Sequence, residues 1–247
     1  KPKGSGGDRA DLRIPEEDVT LIKALSTLGK KLIVNIMGGS AYVIKDWIDL
    51  ADSVVMSFYS GLEGGNALAD IISGDITPAG KLPFTIAQKS EDYPPFLHLG
   101  AKDKNIEYGY YHGYTLFDKK GIEAHFPFGF GLSYTDFEVG TLTCEKVSDI
   151  IKVKATVKNI GKVDGDEVIQ IYIGSDNKDI DRPVKVLKGF KRVSVKAGEA
   201  LTAEIDVLID DIEFYSPENG DWELDESYTV YVGTDSKNVA VAGKINF

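Results

Sequence analysis

Apolar positions in the first third of the chain follow two alternating rhythms. Behind Pro15-Glu16-Glu17-Asp18, a Pro-led and acid-rich helix start, Val19, Ile22, Leu25 and Leu28 recur at near-helical spacing until Gly29. Residues 32–36 then form a short, mostly apolar run, the pattern of a strand covered on both faces. Residues 47–52 read as a short helix leading to a second buried strand over 53–58. Glu63-Gly64-Gly65-Asn66 opens a further helix over 67–72, closed by Gly74, and residues 82–86 predict a third strand. Strands separated by helices predict βαβ units and a parallel sheet. Three strands are few for a doubly wound domain, so part of this sheet is expected to lie upstream.

From residue 134 the period becomes two. Residues 151–157 and 201–207 alternate apolar and polar residues strictly, as half-buried strands do. Residues 168–173, 184–190 and 228–232 are further strands, and turns fall at 159–161, 197–199 and 219–221. About seven strands of this kind predict a small antiparallel sandwich. Between the two textures, residues 88–133 are rich in Tyr, Phe, Pro and Gly. They read either as an aromatic connector or as a surface that stacks on pyranose rings.

The 247 residues carry 28 basic and 39 acidic side chains, net −11. An acidic surface repels phosphate and excludes sequence-independent nucleic-acid binding. No apolar run approaches the roughly 18 residues of a membrane span. One cysteine, Cys144, excludes an internal disulfide and a cysteine metal cluster. His98, His112 and His125 lack metal-ligand spacing, and no Asp/Asn spacing resembles a calcium loop, so no metal or cofactor is expected. The acids of the second unit are expected on its outer, solvated positions. Ser57, Ser60 and Ser133 lack a nucleophile elbow, and Gly64-Gly65 lacks a phosphate-loop context. Glu63 reads as a helix cap, with a place facing a crevice at a strand end as the alternative. Gly61, Gly64 and Gly65 are expected to serve positive φ or close approach, and Gly129 and Gly131 to sit beside aromatic rings. Residues 1–7 read as a polar, Gly-rich loop, and a chain opening so is expected to be one piece of a longer polypeptide. That leaves localisation open between cytoplasm and secretion.

Three stretches resemble the C-terminal half of glycoside hydrolase family 3, the β-glucosidase group. The first is Tyr59-Ser60-Gly61-Leu62-Glu63-Gly64-Gly65 running on to Gly80-Lys81-Leu82-Pro83-Phe84. The second is Phe126-Pro127-Phe128-Gly129-Phe130-Gly131-Leu132-Ser133-Tyr134. The third is Asn159-Ile160-Gly161 with Glu167-Val168-Ile169-Gln170-Ile171-Tyr172 and Arg182-Pro183. The resemblance implies a fold that is α/β followed by all-β. Residues 1–87 would be the second half of an (α/β)6 sandwich domain with a mostly parallel sheet. Residues 88–133 would be an inter-domain linker, and residues 134–247 an antiparallel fibronectin type III-like (immunoglobulin-like) β-sandwich. It implies a retaining β-glucosidase with its nucleophile on a (β/α)8 barrel absent from this chain, so that the chain alone holds no catalytic residue and does not turn over.

The family's acid/base motif resembles Ser-Glu-Gly-x-Asp-Arg. Here Asp8 and Arg9 match it, as substrate-binding residues, while Ser5 stands where the Glu would be. A hydroxyl cannot deliver a proton as a carboxylic acid does. Either the Glu lies upstream of Lys1, or it is replaced and the enzyme is weak or a phosphorylase. The implied partners are the barrel-bearing N-terminal half, in the same polypeptide or a second chain, and a β-glucoside or short oligosaccharide. The resemblance is also compatible with a homo-oligomer. A non-catalytic carbohydrate-binding or assembly module is the rival reading.

Overall fold

Pro15 stands at the N-cap of α1 (Glu16–Ser26), which has three acids in its first turn, where its unpaired N–H groups favour negative charge. The computed structural model of the chain describes residues 12–94 and 109–247. It divides into two compact units, one of Lys1–Ser73 with Phe84–Phe126, the other of Gly74–Pro83 with Pro127–Phe247.

In the first unit β1 (Ile33–Ile36) pairs in parallel with β2 (Ser53–Met56), Ile33 opposite Ser53 through Ile36 opposite Met56. Lys31 and the Leu32 N–H both meet the Asp52 carboxylate, which ties the strand starts together. α2 (Gly64–Ser73) follows β2. Residues 47–52 form only a three-residue 3-10 turn, Ile48–Leu50, because Trp47 is already buried and the chain must turn at once into β2. The predicted third strand is corrected too. Residues 82–86 do not join the parallel sheet. Ile86 bridges antiparallel to Phe126, its N–H donating to the Phe126 carbonyl at 2.8 Å. Residues 88–133 contain a helix that the pattern did not predict, α3 (Gly113–Lys120). Its Leu116 and Phe117 pack on Ala87, with the Tyr93 ring edge-on to Phe117 at 6.0 Å. These aromatics are core in part. Tyr108 and His98 lie outside the described residues.

In the second unit a four-stranded sheet is ordered β11 (Val239–Asn246), β10 (Ser227–Gly233), β5 (Gly165–Ser175) and β6 (Val186–Val195). A three-stranded sheet is ordered β3 (Phe137–Val147), β4 (Ile150–Asn159) and β7 (Ala200–Leu208). Both are antiparallel throughout. β8 (Phe214–Ser216) and β9 (Asp221–Glu223) form a separate hairpin. Alternation does what the pattern predicts. Ile151, Val153, Ala155 and Val157 of β4 point into the core with Ala203, Ile205 and Val207 of β7. Their outward neighbours pair across the strands, Lys152 with Asp206 and Lys154 with Glu204.

β5 departs from alternation, being buried on both faces. Ile169, Ile171 and Ile173 enter the core, while Gln170 and Tyr172 lie beneath other segments of the unit. Not every acid is solvated: Glu167, Asp225 and Asp235 are buried. Each has a partner that makes this tolerable: Lys81 for Glu167, Arg182 for Asp225, and the Lys237 and Asn238 N–H groups for Asp235.

Candidate functional site

In open α/β sheets ligands bind at the carboxyl ends of parallel strands. Here two loops occupy that edge, residues 37–40 after β1 and 57–63 after β2. Ser57 Oγ donates to Asn35 Oδ1 at 2.8 Å, so the β2 exit is pinned to β1 and the hydroxyl is engaged there. Phe58 takes a left-handed backbone, φ 53°, and its ring meets Phe84 edge-on at 6.0 Å. That turn leaves Tyr59 80% exposed and Leu62 fully exposed, and Met37 of the other loop is exposed as well.

Glu63 stands directly before α2. Its carbonyl accepts from the Ala67 N–H at 3.0 Å and its carboxylate from Asn66 Nδ2 at 2.6 Å. It stands at the N-cap position facing solvent, its carboxylate bonded to the Asn66 side chain rather than to a helix N–H, and it is the one carboxylate of these two loops. Gly61 has φ +71°, as expected, and a Cβ on Gly64 would collide with the Ser60 side chain. Gly65 has open space around it and no positive φ, so that expectation does not hold.

The rim can stack a ring on Tyr59 and accept hydrogen bonds at Glu63. It cannot by itself supply the two carboxylates that glycoside cleavage requires. Asp8, Arg9 and Ser5 lie outside the described residues. What is described of their segment is its continuation, where Arg13 bridges in parallel to Val43 and the Val43 N–H donates to the Leu12 carbonyl at 2.8 Å. His112 caps α3 together with Thr115. His125 lies edge-on to Phe126 at 4.8 Å. Burial pushes its imidazole below the usual range, with Asp49 opposing and Lys45 adding to the effect. Among the described residues no three His, Cys, Asp or Glu side chains gather closely enough to hold a metal ion.

The remaining motifs converge within the second unit. Lys81 Nζ meets Glu167 Oε1 at 2.6 Å. The Leu82 N–H donates to the Phe130 carbonyl, and the Gly129 N–H to the Leu82 carbonyl, each at 2.8 Å. Gln170 Nε2 donates to the Thr234 carbonyl at 2.5 Å, and Tyr172 Oη donates to Gln170 Oε1 at 2.6 Å. Gly129 (φ +84°) lies against the Gln170 amide, and Gly131 against the Gly80 carbonyl. Backbone and amide, not the expected aromatic rings, therefore exclude a Cβ at these two positions. No local signal in the sequence pairs Lys81 with Glu167, and these motifs hold the unit together rather than perform chemistry.

The described chain is thus an α/β unit with an open strand-end rim, followed by a seven-stranded fibronectin-like sandwich with its hairpin. The family model for the glycosyl hydrolase family 3 C-terminal domain matches residues 1–134, and that for the fibronectin type III-like domain matches residues 167–236. The chain belongs to glycosyl hydrolase family 3. It is 35% identical to thermostable β-glucosidase B of Acetivibrio thermocellus, over 97% of this chain and 32% of that protein. It is 32% identical to an exo-α-(1→6)-L-arabinopyranosidase of Bifidobacterium breve, over 96% of this chain and 32% of that protein. The crystal structure of a GH3 β-glucosidase from Bifidobacterium adolescentis superimposes with a TM-score of 0.90 at 33% identity, covering 97% of this chain and 36% of that one. The chain thus spans about a third of the length of these relatives.

Proposed function

We propose that the chain is the C-terminal part of a retaining β-glucosidase that releases terminal β-D-glucosyl residues, its nucleophile carried by a barrel in the N-terminal part. The observation that carries this reading is the exposed apolar surface around a parallel sheet of two described strands. Parallel sheets are stable when covered on both faces. Here Ile33 of β1, Leu21 and Leu25 of α1, and Ile72 of α2 are 38–56% exposed. Further sheet and helix from the N-terminal part would cover them. In this reading residues 1–87 are half of the α/β sandwich domain, 88–133 a linker, and 134–247 the fibronectin-like domain.

Asp8 and Arg9 would bind substrate, Asp8 orienting the Arg9 guanidinium toward sugar hydroxyls. The barrel carboxylate would attack the anomeric carbon, and a second acid would protonate the leaving oxygen and then activate water. Ser5 at the motif's acid position is the observation that keeps phosphorolysis as a second reading, since phosphate needs no general base.

The experiment compares the purified 247-residue chain with the chain joined to its N-terminal part on an aryl β-D-glucoside. The expected result is no turnover by the first, and turnover by the second with β-glucose as the first-formed anomer. Turnover by the chain alone, or a folded joined protein inert toward glycosides, would overturn the reading. Glucose 1-phosphate formed only in phosphate would select the phosphorylase.

A further inference from the structure

On the β8–β9 hairpin Tyr215 stands directly across from Trp222. The inner face of the hairpin is occupied: Phe214 lies under the Arg182 guanidinium at 4.1 Å, and Ser216 is buried. Tyr215 and Trp222 project from the outer face, 53% and 61% exposed. Their ring centroids are 5.9 Å apart and the planes meet at 72°. Two rings so inclined make a corner rather than a flat platform. A corner of π faces suits a cation, which is attracted to the ring quadrupole, better than a pyranose, which stacks on one flat face.

Charge points the same way. Residues 210–226 hold eight acids and no Lys, Arg or His. The nearby cations are engaged elsewhere, Arg182 with the Asp225 carboxylate and Lys188 with the Asp211 carbonyl. Glu213, Glu218, Asp221 and Glu223 form no ion pair among the described residues; Asp221 accepts from the Trp222 N–H and Glu223 from Asn219 Nδ2. We propose that this face docks a lysine- or arginine-bearing peptide segment of another protein, one cationic side chain entering the Tyr215–Trp222 corner and the carboxylates pairing with its neighbours. The inference is independent of the glycosidase reading.

The probe is a decapeptide of alternating arginine and glycine, titrated calorimetrically into the 247-residue chain at low salt. General attraction to an acidic protein is separated by Tyr215→Ala and Trp222→Gln, which change no charge. Each is expected to weaken binding at least fivefold, and Glu218→Gln/Asp221→Asn/Glu223→Gln likewise. Unchanged affinity in the aromatic variants with intact circular dichroism overturns the proposal. So does a Trp222 emission change with cellopentaose but not with the peptide, or self-association of the chain that Trp222→Gln abolishes.

Discussion

Lys81 and Glu167 form an ion pair at 2.6 Å with only 14% and 11% of their side chains exposed. Glu167 also accepts from the Val168 N–H at 2.7 Å, so its carboxylate is well satisfied. Removing one partner strands a buried charge. Lys81→Met or Glu167→Gln is expected to destabilise the sandwich unit by about 3 kcal/mol, and Lys81→Met/Glu167→Leu to recover most of that loss. Urea unfolding checks both. A double variant no better than the singles would mean that the pair matters for more than charge balance. Because Gly74–Pro83 belongs to this unit, the single variants should also open that segment to protease before the sandwich strands are cut.

Asn159 is the second fixed point. It is fully buried at the end of β4, and all four of its side-chain hydrogen bonds are made. Oδ1 accepts from Thr135 Oγ1 at 2.6 Å and from the Gly161 N–H at 3.0 Å. Nδ2 donates to the carbonyls of Val163 at 2.8 Å and Val195 at 2.9 Å. Asn159→Ala leaves these groups unpaired and is expected to cost about 3 kcal/mol. Asn159→Asp should cost at least as much, because a carboxylate cannot donate to two carbonyls. A loss below about 1 kcal/mol in urea melts would refute this account.

These two cases show what local pattern can and cannot reveal. β4 and β7 were legible because each buries one face only, so burial and polarity alternate together. β3 was not. Its register shifts between Gly140 and Thr143 and Thr141 takes φ 48°, which breaks the period. α3 was hidden because its eight residues bury only Leu116 and Phe117 and sit among aromatics that mimic a loop. Residues 82–86 looked like a strand, but the chain bends at 83–84 and only Ile86 bridges, to Phe126, because a strand's partner is a tertiary fact. The N-cap position of Glu63 followed from sequence, though its carboxylate bonds the Asn66 side chain. The Lys81–Glu167 pair, joining residues far apart in the chain, could not have.

Acid should unfold the two units in sequence. In the first, burial holds His125 below the usual imidazole value, so the folded state binds fewer protons there than the unfolded chain. The stability this contributes is complete above the unfolded value of about 6.5 and falls as pH drops toward the depressed folded one. In the second, Lys244, Thr229 and Ser227 hold the Asp176 carboxyl below its usual range. For Asp225 burial acts upward, but Ser175, Asn177 and Arg182 outweigh it. Stability from these carboxylates is complete above about 3.9 and lost as pH falls through their lowered values. Trp47 is buried in the first unit, so in a Trp222→Phe background its fluorescence should report an earlier loss, setting in as pH falls below about 6.5, than far-ultraviolet dichroism of the sandwich shows. His125→Gln should remove the earlier step. Coincident transitions would show that the units do not unfold separately.

The single thiol offers a direct probe of sandwich opening. Cys144 on β3 is half-buried, and burial raises its pKa above the ordinary thiol range. The thiolate is the reacting species, so alkylation by iodoacetamide at pH 7.5 should be slow in the native chain and much faster in urea. Gly243 of β11 lies over the sulfur, where a Cβ would come within 2.7 Å of Sγ. Gly243→Ala must therefore displace either the Cys144 thiol or β11, and with either shift loosening the cover over the sulfur native alkylation should rise several-fold while the dichroism spectrum is retained. An unchanged rate in that variant would mean that the Gly243 contact does not limit access to the thiol.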